Sequence, residues 1–185
     1  ILLRTLARTP DLFAAAMFSA PMVAIRIPLP GCVPRRLSAL MARRRTKIYA
    51  WGIAGRDPLT LPFAKQIVTS DPRRYARTVA FLARDPALRV AGPTWGWLAA
   101  ATRSMAAMRL PGKPEAITTP ALICDVGDDL VCNSATSARF AARMPQCRHV
   151  TLAGARHEIL MERDVYREQF WDAFDIFLNA IRPGA

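Results

Sequence analysis

The sequence is short of several things, and each shortage removes a class of protein. Its longest stretch without a charge, Leu12 to Ile25, is 14 residues and contains Pro21; a bilayer span needs about 18–20 apolar residues. Cysteines at metal-binding spacing are absent. Cys32, Cys124, Cys132 and Cys147 include no C-x-x-C pair, and neither histidine stands at zinc-finger distance from them. No structural zinc is expected, and four reduced thiols of a cytosolic protein are. Lysine is scarce: only Lys47, Lys65 and Lys113 among 26 basic residues. The chain opens on Ile1, with no charged-then-apolar leader, and so reads as the interior of a longer frame. Repeats and low-complexity tracts are missing too. What remains is 185 residues, 52% hydrophobic and 22% charged, a globular composition that excludes disordered and collagen-like chains.

Acidic residues are scarce in one part only. Residues 1–112 hold 18 basic and 4 acidic residues, while 113–185 hold 8 and 10. Such asymmetry suits a phosphate-bearing partner, whether anionic lipid, phosphorylated substrate or nucleic acid. A solvated arginine-rich surface accounts for it equally well without any ligand.

The pattern of elements changes along the chain in the same sense. Ile1 to Arg8 reads as the tail of a helix stopped by Pro10 and Asp11. Ala14 to Ala20 is apolar on both faces, as a buried parallel strand is, although periodicity does not separate it from a buried helix. From residue 28 to 112 the text is helical and loopy. A loop spans Pro28 to Pro34, and a basic amphipathic stretch runs from Arg35 to Lys47, with Leu37, Leu40 and Met41 as its apolar side. An irregular segment follows over 51–66. Helices are expected from Pro72, capped by Asp71, and from Trp95 to about Met108. Strand-like text then appears at Ala121–Val126 and His149–Leu152. Asn133 or Ser134 caps a helix through Met144, and a final helix from about Glu162 to Ile181 carries Tyr166, Phe170, Phe174, Phe177 and Ile181 on one stripe. Strand, helix, strand, helix is the rhythm of a parallel sheet with crossover helices, hence an α/β fold.

In open α/β sheets, functional groups gather past the carboxyl ends of strands. Strand 121–126 empties into Gly127-Asp128-Asp129, and strand 149–152 into the loop with His157. If the strands are parallel neighbours, Asp129 and His157 share one edge. A carboxylate beside an imidazole fixes its tautomer and stabilises the imidazolium formed when the ring takes a proton. A helix cap and a surface histidine are the plainer readings of the two residues.

The local text says more. PALICDVGDDLVCNS (120–134) resembles the acid-bearing strand of α/β-hydrolases, and GARHEILMERD (154–164) resembles their histidine loop. The likeness is greatest to the lysophospholipase and monoacylglycerol-lipase branch, grouped with the serine aminopeptidases. PDLFAAAMFSAPM (10–22) resembles the passage that follows the nucleophile turn; TSDPRRY (69–75) and GPTWGWL (92–98) resemble the cap of bacterial members. The resemblance implies a core at 1–27, a helical cap or lid at 28–112 and a C-terminal core at 113–185. It makes Asp129 the acid, with Asp128 as alternative, and His157 the base, while His149 is left to the sheet and Cys132 is not a nucleophile. The G-x-S-x-G turn of the family occurs nowhere. The serine is expected just ahead of Ile1, and the chain alone is expected to be inactive. The implied substrate is a lipid ester, a lysophospholipid or monoacylglycerol, with no metal or organic cofactor and no nucleic acid. The implied location is cytoplasmic, with peripheral contact at the anionic inner membrane face. The rival reading is a non-catalytic basic helical module that binds anionic lipid or nucleic acid.

Overall fold

A computed structural model describes residues 1–27, 32–50 and 58–181. Of the loop expected at Pro28 to Pro34, residues 28–31 lie outside those residues, and Cys32 to Pro34 are instead the first turn of a helix, Cys32–Arg45; the irregular text around Gly52 and Gly55 also lies outside. By its internal contacts the chain divides into two units. One comprises Ile1–Arg26, Ile67–Asp71 and Ala107–Ala185; the other comprises Ile27–Gln66 and Pro72–Ala106.

The first unit is organised on the six-residue strand that the sequence announces. Among its described residues, β1 (Ala16–Ser19), β2 (Ala121–Val126) and β3 (Cys147–Leu152) form a parallel sheet in that order. Ala16 pairs with Ala121, and Ala121 with Cys147. All six residues of β2 are buried, because a central parallel strand is covered on both faces. Alternation sorts its side chains. Ala121 and Ile123 join Leu6 of α1 (Leu2–Leu6), Phe18, Ile117, and Phe140 and Ala141 of α5 (Ser134–Ala141) on one face. Leu122, Cys124 and Val126 meet Phe170, Ala173 and Phe177 of α6 (Asp164–Ile181) on the other. The aromatic stripe read from the sequence is this α6 face. Asn133 caps α5, its side chain accepting from Thr136 N at 2.9 Å.

Phe170 is fully buried at the centre of the α6 face. Phe170→Ala is expected to cost about 3–5 kcal/mol, against less than about 1 kcal/mol for half-exposed Ile176→Ala. Urea unfolding midpoints of the two variants measure the difference; equal midpoints would show that α6 is not held by this face.

The second unit is helical: α2 (Cys32–Arg45), α3 (Pro72–Arg84) and most of α4 (Trp95–Met108). Its described residues contain no strand beyond an isolated Tyr49–Thr94 bridge. Tyr75, Val79 and Leu82 form the half-buried side of α3, as their spacing predicts. For α2 the sequence misleads. Leu37 and Leu40 are exposed, and Pro34 and Ser38 are buried instead. Ser38 lies 3.3 Å from Thr102 of α4, hydroxyl to hydroxyl. Small polar residues let two helices come close, so the buried side is set by size and hydrogen bonding rather than hydrophobicity. Segment 67–71, read with the helical stretch, folds with the sheet.

Candidate active site

The parallel ladder of β2 and β3 continues into the loops beyond it. Gly127 N donates to Leu152 O at 2.9 Å, and Asp128 N to Ala155 O at 3.0 Å. The approach is tight: a Cβ on Gly127 would lie 3.0 Å from Gly154 N and 3.2 Å from Ala153 Cα, so a side chain there would push the neighbouring backbone aside by a few tenths of an ångström. Gly154 itself has φ +79°, the left-handed region that favours glycine. These contacts carry the two loops side by side and place Asp129 against His157.

The pair so formed is tightly specified. His157 Nδ1 and Asp129 Oδ2 are 3.0 Å apart. The other carboxylate oxygen, Oδ1, accepts from Val131 N at 2.7 Å and Cys132 N at 2.8 Å. Asp129 is 3% exposed, whereas Asp128 is exposed and uses its backbone on Ala155. Of the two candidate acids, the one that meets the imidazole is Asp129. Its loop is fixed from a second side: Arg26 N donates to Val131 O, Asn133 N donates to Ala24 O, and Arg26 Nη1 donates to Asp129 O.

Electrostatics follow from this geometry. Burial pushes the Asp129 carboxyl up, but hydrogen bonds from His157, Cys132 and Val131 outweigh it and leave it below its ordinary value. The His157 imidazolium is favoured above its ordinary value by the hydrogen bond to Asp129, against the pull of burial. An ionised Asp129 accepts, so Nδ1 carries the ring proton. Nε2 is left as the basic nitrogen, and among the described residues no side chain hydrogen-bonds to it. The ring is therefore oriented and ready to take a proton from a nucleophile at Nε2.

Cys132 Sγ lies within 4.8 Å of both partners, which raises the question of a metal or a thiol nucleophile. Burial pushes its thiol up to about 12, whereas a metal ligand or nucleophile is the thiolate. Asp129 already spends both oxygens on three donors. The donor set fits a hydrogen-bonded acid–base pair and does not fit a cation site. A cavity of about 290 Å³ opens beside the pair, between Arg26, Gly127 and the first turn of α5.

A second pair escaped the sequence reading. His149 Nε2 and Asp125 Oδ2 are 2.7 Å apart. Their positions are diagonal on adjacent strands, two residues out of register and so on the same face, since Ile123 faces His149 and Asp125 faces Thr151. Asp125 is 2% exposed, and burial raises its carboxyl above its ordinary value. The available signal was a lone carboxylate in an otherwise apolar buried strand, which requires a partner.

Comparison with known proteins bears on the family and the fold. The family model described as "Serine aminopeptidase, S33" matches residues 1–164. Lysophospholipase L2 of Escherichia coli is 28% identical over 181 residues, covering 94% of this chain and 53% of that protein. The chain thus spans about half the length of that relative. A soluble variant of monoglyceride lipase from Saccharomyces cerevisiae, solved with a substrate analog, aligns with a TM-score of 0.61 at 17% identity, over 90% of this chain and 55% of that one. Monoacylglycerol lipase of Paleococcus ferrophilus gives 0.60 at 17%, over 96% and 63%. The structural likeness bears on the fold, and the family match covers most of the chain. Both point the same way as the parallel sheet and its loops: the chain belongs to the serine aminopeptidase family and has part of the α/β-hydrolase fold.

Proposed function

We propose that this chain supplies the acid and base of a serine hydrolase acting on lipid acyl esters of the lysophospholipid or monoacylglycerol class. The observation that carries the reading is the buried Asp129 carboxylate 3.0 Å from His157 Nδ1, at the carboxyl edge of neighbouring parallel strands. The nucleophile is a serine on the G-x-S-x-G turn that the resemblance places ahead of Ile1. His157 Nε2 takes the proton from its hydroxyl as the oxygen attacks the ester carbonyl, then returns it to the departing glycerol oxygen. Water activated at the same nitrogen releases the fatty acid. Asp129 holds the tautomer throughout. The helical unit, residues 27–66 and 72–106, acts as the cap that binds the acyl chain.

Lysophospholipid is favoured over the neutral ester. Residues 1–112 carry 18 basic and 4 acidic groups, which suits a phosphate headgroup. The E. coli relative is named for that substrate class. The same excess of arginine on α2 favours peripheral contact with an anionic membrane from the cytoplasmic side. No helix among the described residues is long and apolar enough to cross one. The test is the serine-bearing protein assayed on lysophosphatidylglycerol and monooleoylglycerol of equal chain length. Hydrolysis of both is expected, with kcat/KM several-fold higher for the phosphate ester and the advantage shrinking as salt is raised. Hydrolysis of neither would overturn the reading; a preference for the neutral ester would overturn its headgroup part.

A further inference from the structure

Glu162 is fully buried, yet nothing in the proposed chemistry uses it. Among the described residues, four hydrogen bonds to its carboxylate are seen. Oε1 takes Ser70 N at 2.8 Å and Arg156 N at 3.0 Å; Oε2 takes Ser70 Oγ at 2.5 Å and Arg163 N at 3.1 Å. Two donors come from the histidine loop and its continuation, and two from Ser70, which is 92 residues away in sequence. Burying a carboxylate is costly unless donors surround it. This one is surrounded by donors from two segments far apart in the sequence.

Ser70 lies in the strap Ile67–Asp71, the five residues that fold with the sheet while the chain on either side belongs to the helical unit. The strap grips the loop along its length. Glu158 N donates to Val68 O at 2.8 Å, Arg156 Nη1 to Thr69 O at 3.1 Å, and Thr69 Oγ1 to Met161 O at 2.6 Å. Arg163 Nε donates to Ser70 Oγ at 3.1 Å. The residues immediately before and after His157 are therefore both tied. Arg156 is held by Glu162 and the strap, and Glu158 by the strap.

We propose that Glu162 is a positioning residue, which clamps the strap Ile67–Asp71 to the loop and thereby fixes the backbone of His157 so that its ring meets Asp129. The proposal rests on the reading of His157 as the base. Glutamine keeps one acceptor oxygen and turns the other into an NH2 group, which faces the Arg163 or Arg156 and Ser70 donors. It breaks the clamp with almost no change of volume. Catalytic geometry is sensitive to such shifts: a misplacement of about 1 Å can cost about 10²-fold in rate.

The test uses the fact that the chain has two histidines. Each ring is followed by NMR through a pH titration in the wild type, Glu162→Gln, Ser70→Ala and Asp129→Asn. In Glu162→Gln the His157 midpoint should fall toward the ordinary 6.5, while the ring signal of His149, paired with Asp125 in the sheet, reports that the sheet is still folded. Ser70→Ala should shift His157 in the same direction by less. In the serine-bearing protein, kcat should fall about 10²-fold in Glu162→Gln with KM little altered. A carboxylate with a purely structural role would lower the unfolding midpoint and leave the His157 titration where it was, and that result overturns the proposal. Should Glu162→Gln lose the folded His149 signal, Ser70→Ala decides: an unmoved His157 midpoint overturns the proposal and a lowered one supports it. Asp129→Asn separates the two levels. If it leaves the His157 midpoint unmoved, the acid–base assignment fails; if it moves the midpoint and Glu162→Gln does not, the clamp alone fails.

Discussion

Asp129→Asn should lower kcat of the serine-bearing protein about 10⁴-fold at neutral pH while leaving the fold intact. The size follows from which atoms the carboxylate uses. Oδ1 accepts from two backbone N–H groups, at 2.7 and 2.8 Å. An asparagine must put its oxygen there, since its NH2 would face two donors. That turns the NH2 toward His157 Nδ1, which then has to accept. The ring proton moves to Nε2, and the nitrogen that should receive the serine proton is already protonated.

The pH dependence changes with it. His157 is held above its ordinary 6.5 chiefly by Asp129, and turnover requires the neutral ring, so the acidic limb of the rate profile lies above 6.5 in the wild type and falls in the variant. Stability follows the same linkage. The raised His157 value means a contribution present below 6.5 and lost as pH rises through the folded value. The lowered Asp129 value means one present above 3.8 and lost as pH falls through the folded value. The pair therefore stabilises most between 3.8 and 6.5, and Asp129→Asn should flatten that maximum in urea midpoints measured against pH. A kcat within tenfold of wild type would show that Asp129 does not orient the base.

The 185-residue chain by itself should hydrolyse a short-chain nitrophenyl ester no faster than solvent does, and His157→Ala should change nothing. An oriented imidazole needs something to deprotonate. The sequence has no G-x-S-x-G. Cys132 is the thiol near the ring, and at a pKa of about 12 its thiolate fraction at pH 7 is about 10⁻⁵. Cys124 is pushed up to about 12 and Cys147 to about 11, in both cases by burial. Ser134, the hydroxyl in the first turn of α5, is already committed to Val126 O at 2.8 Å. Turnover above the solvent rate that vanishes in His157→Ala would show that the chain carries its own nucleophile.

What could be read from the sequence was local. ALICDV is a strand over the very residues expected because a run buried on both faces looks the same in sequence and in space. The α6 stripe and the Asn133 cap are set by neighbours three or four residues away. The loops bearing Asp129 and His157 were found by local text, and their meeting followed from two adjacent parallel strands. The rest depends on long-range register. Asp125 and His149 meet only because β2 and β3 align as they do. Glu162 and Ser70 meet across 92 residues. The buried side of α2 was misread because hydroxyl packing at Ser38 and Thr102 has no hydrophobic signature. A purely binding module would require none of these carboxylate–imidazole and carboxylate–amide contacts.

The interrupted course of the helical unit has a practical bearing on protein engineering. Transplanting the helical segment from a homologue is one way to seek a new specificity, and residues 27–106 look like one removable cassette. They are not. The cassette would carry away Val68, Thr69 and Ser70, which bind the loop around His157. A recipient given a foreign strap would receive new specificity together with a loosened histidine. Splicing in two pieces, 27–66 and 72–106, with the native five residues left between them, respects the division the fold itself makes.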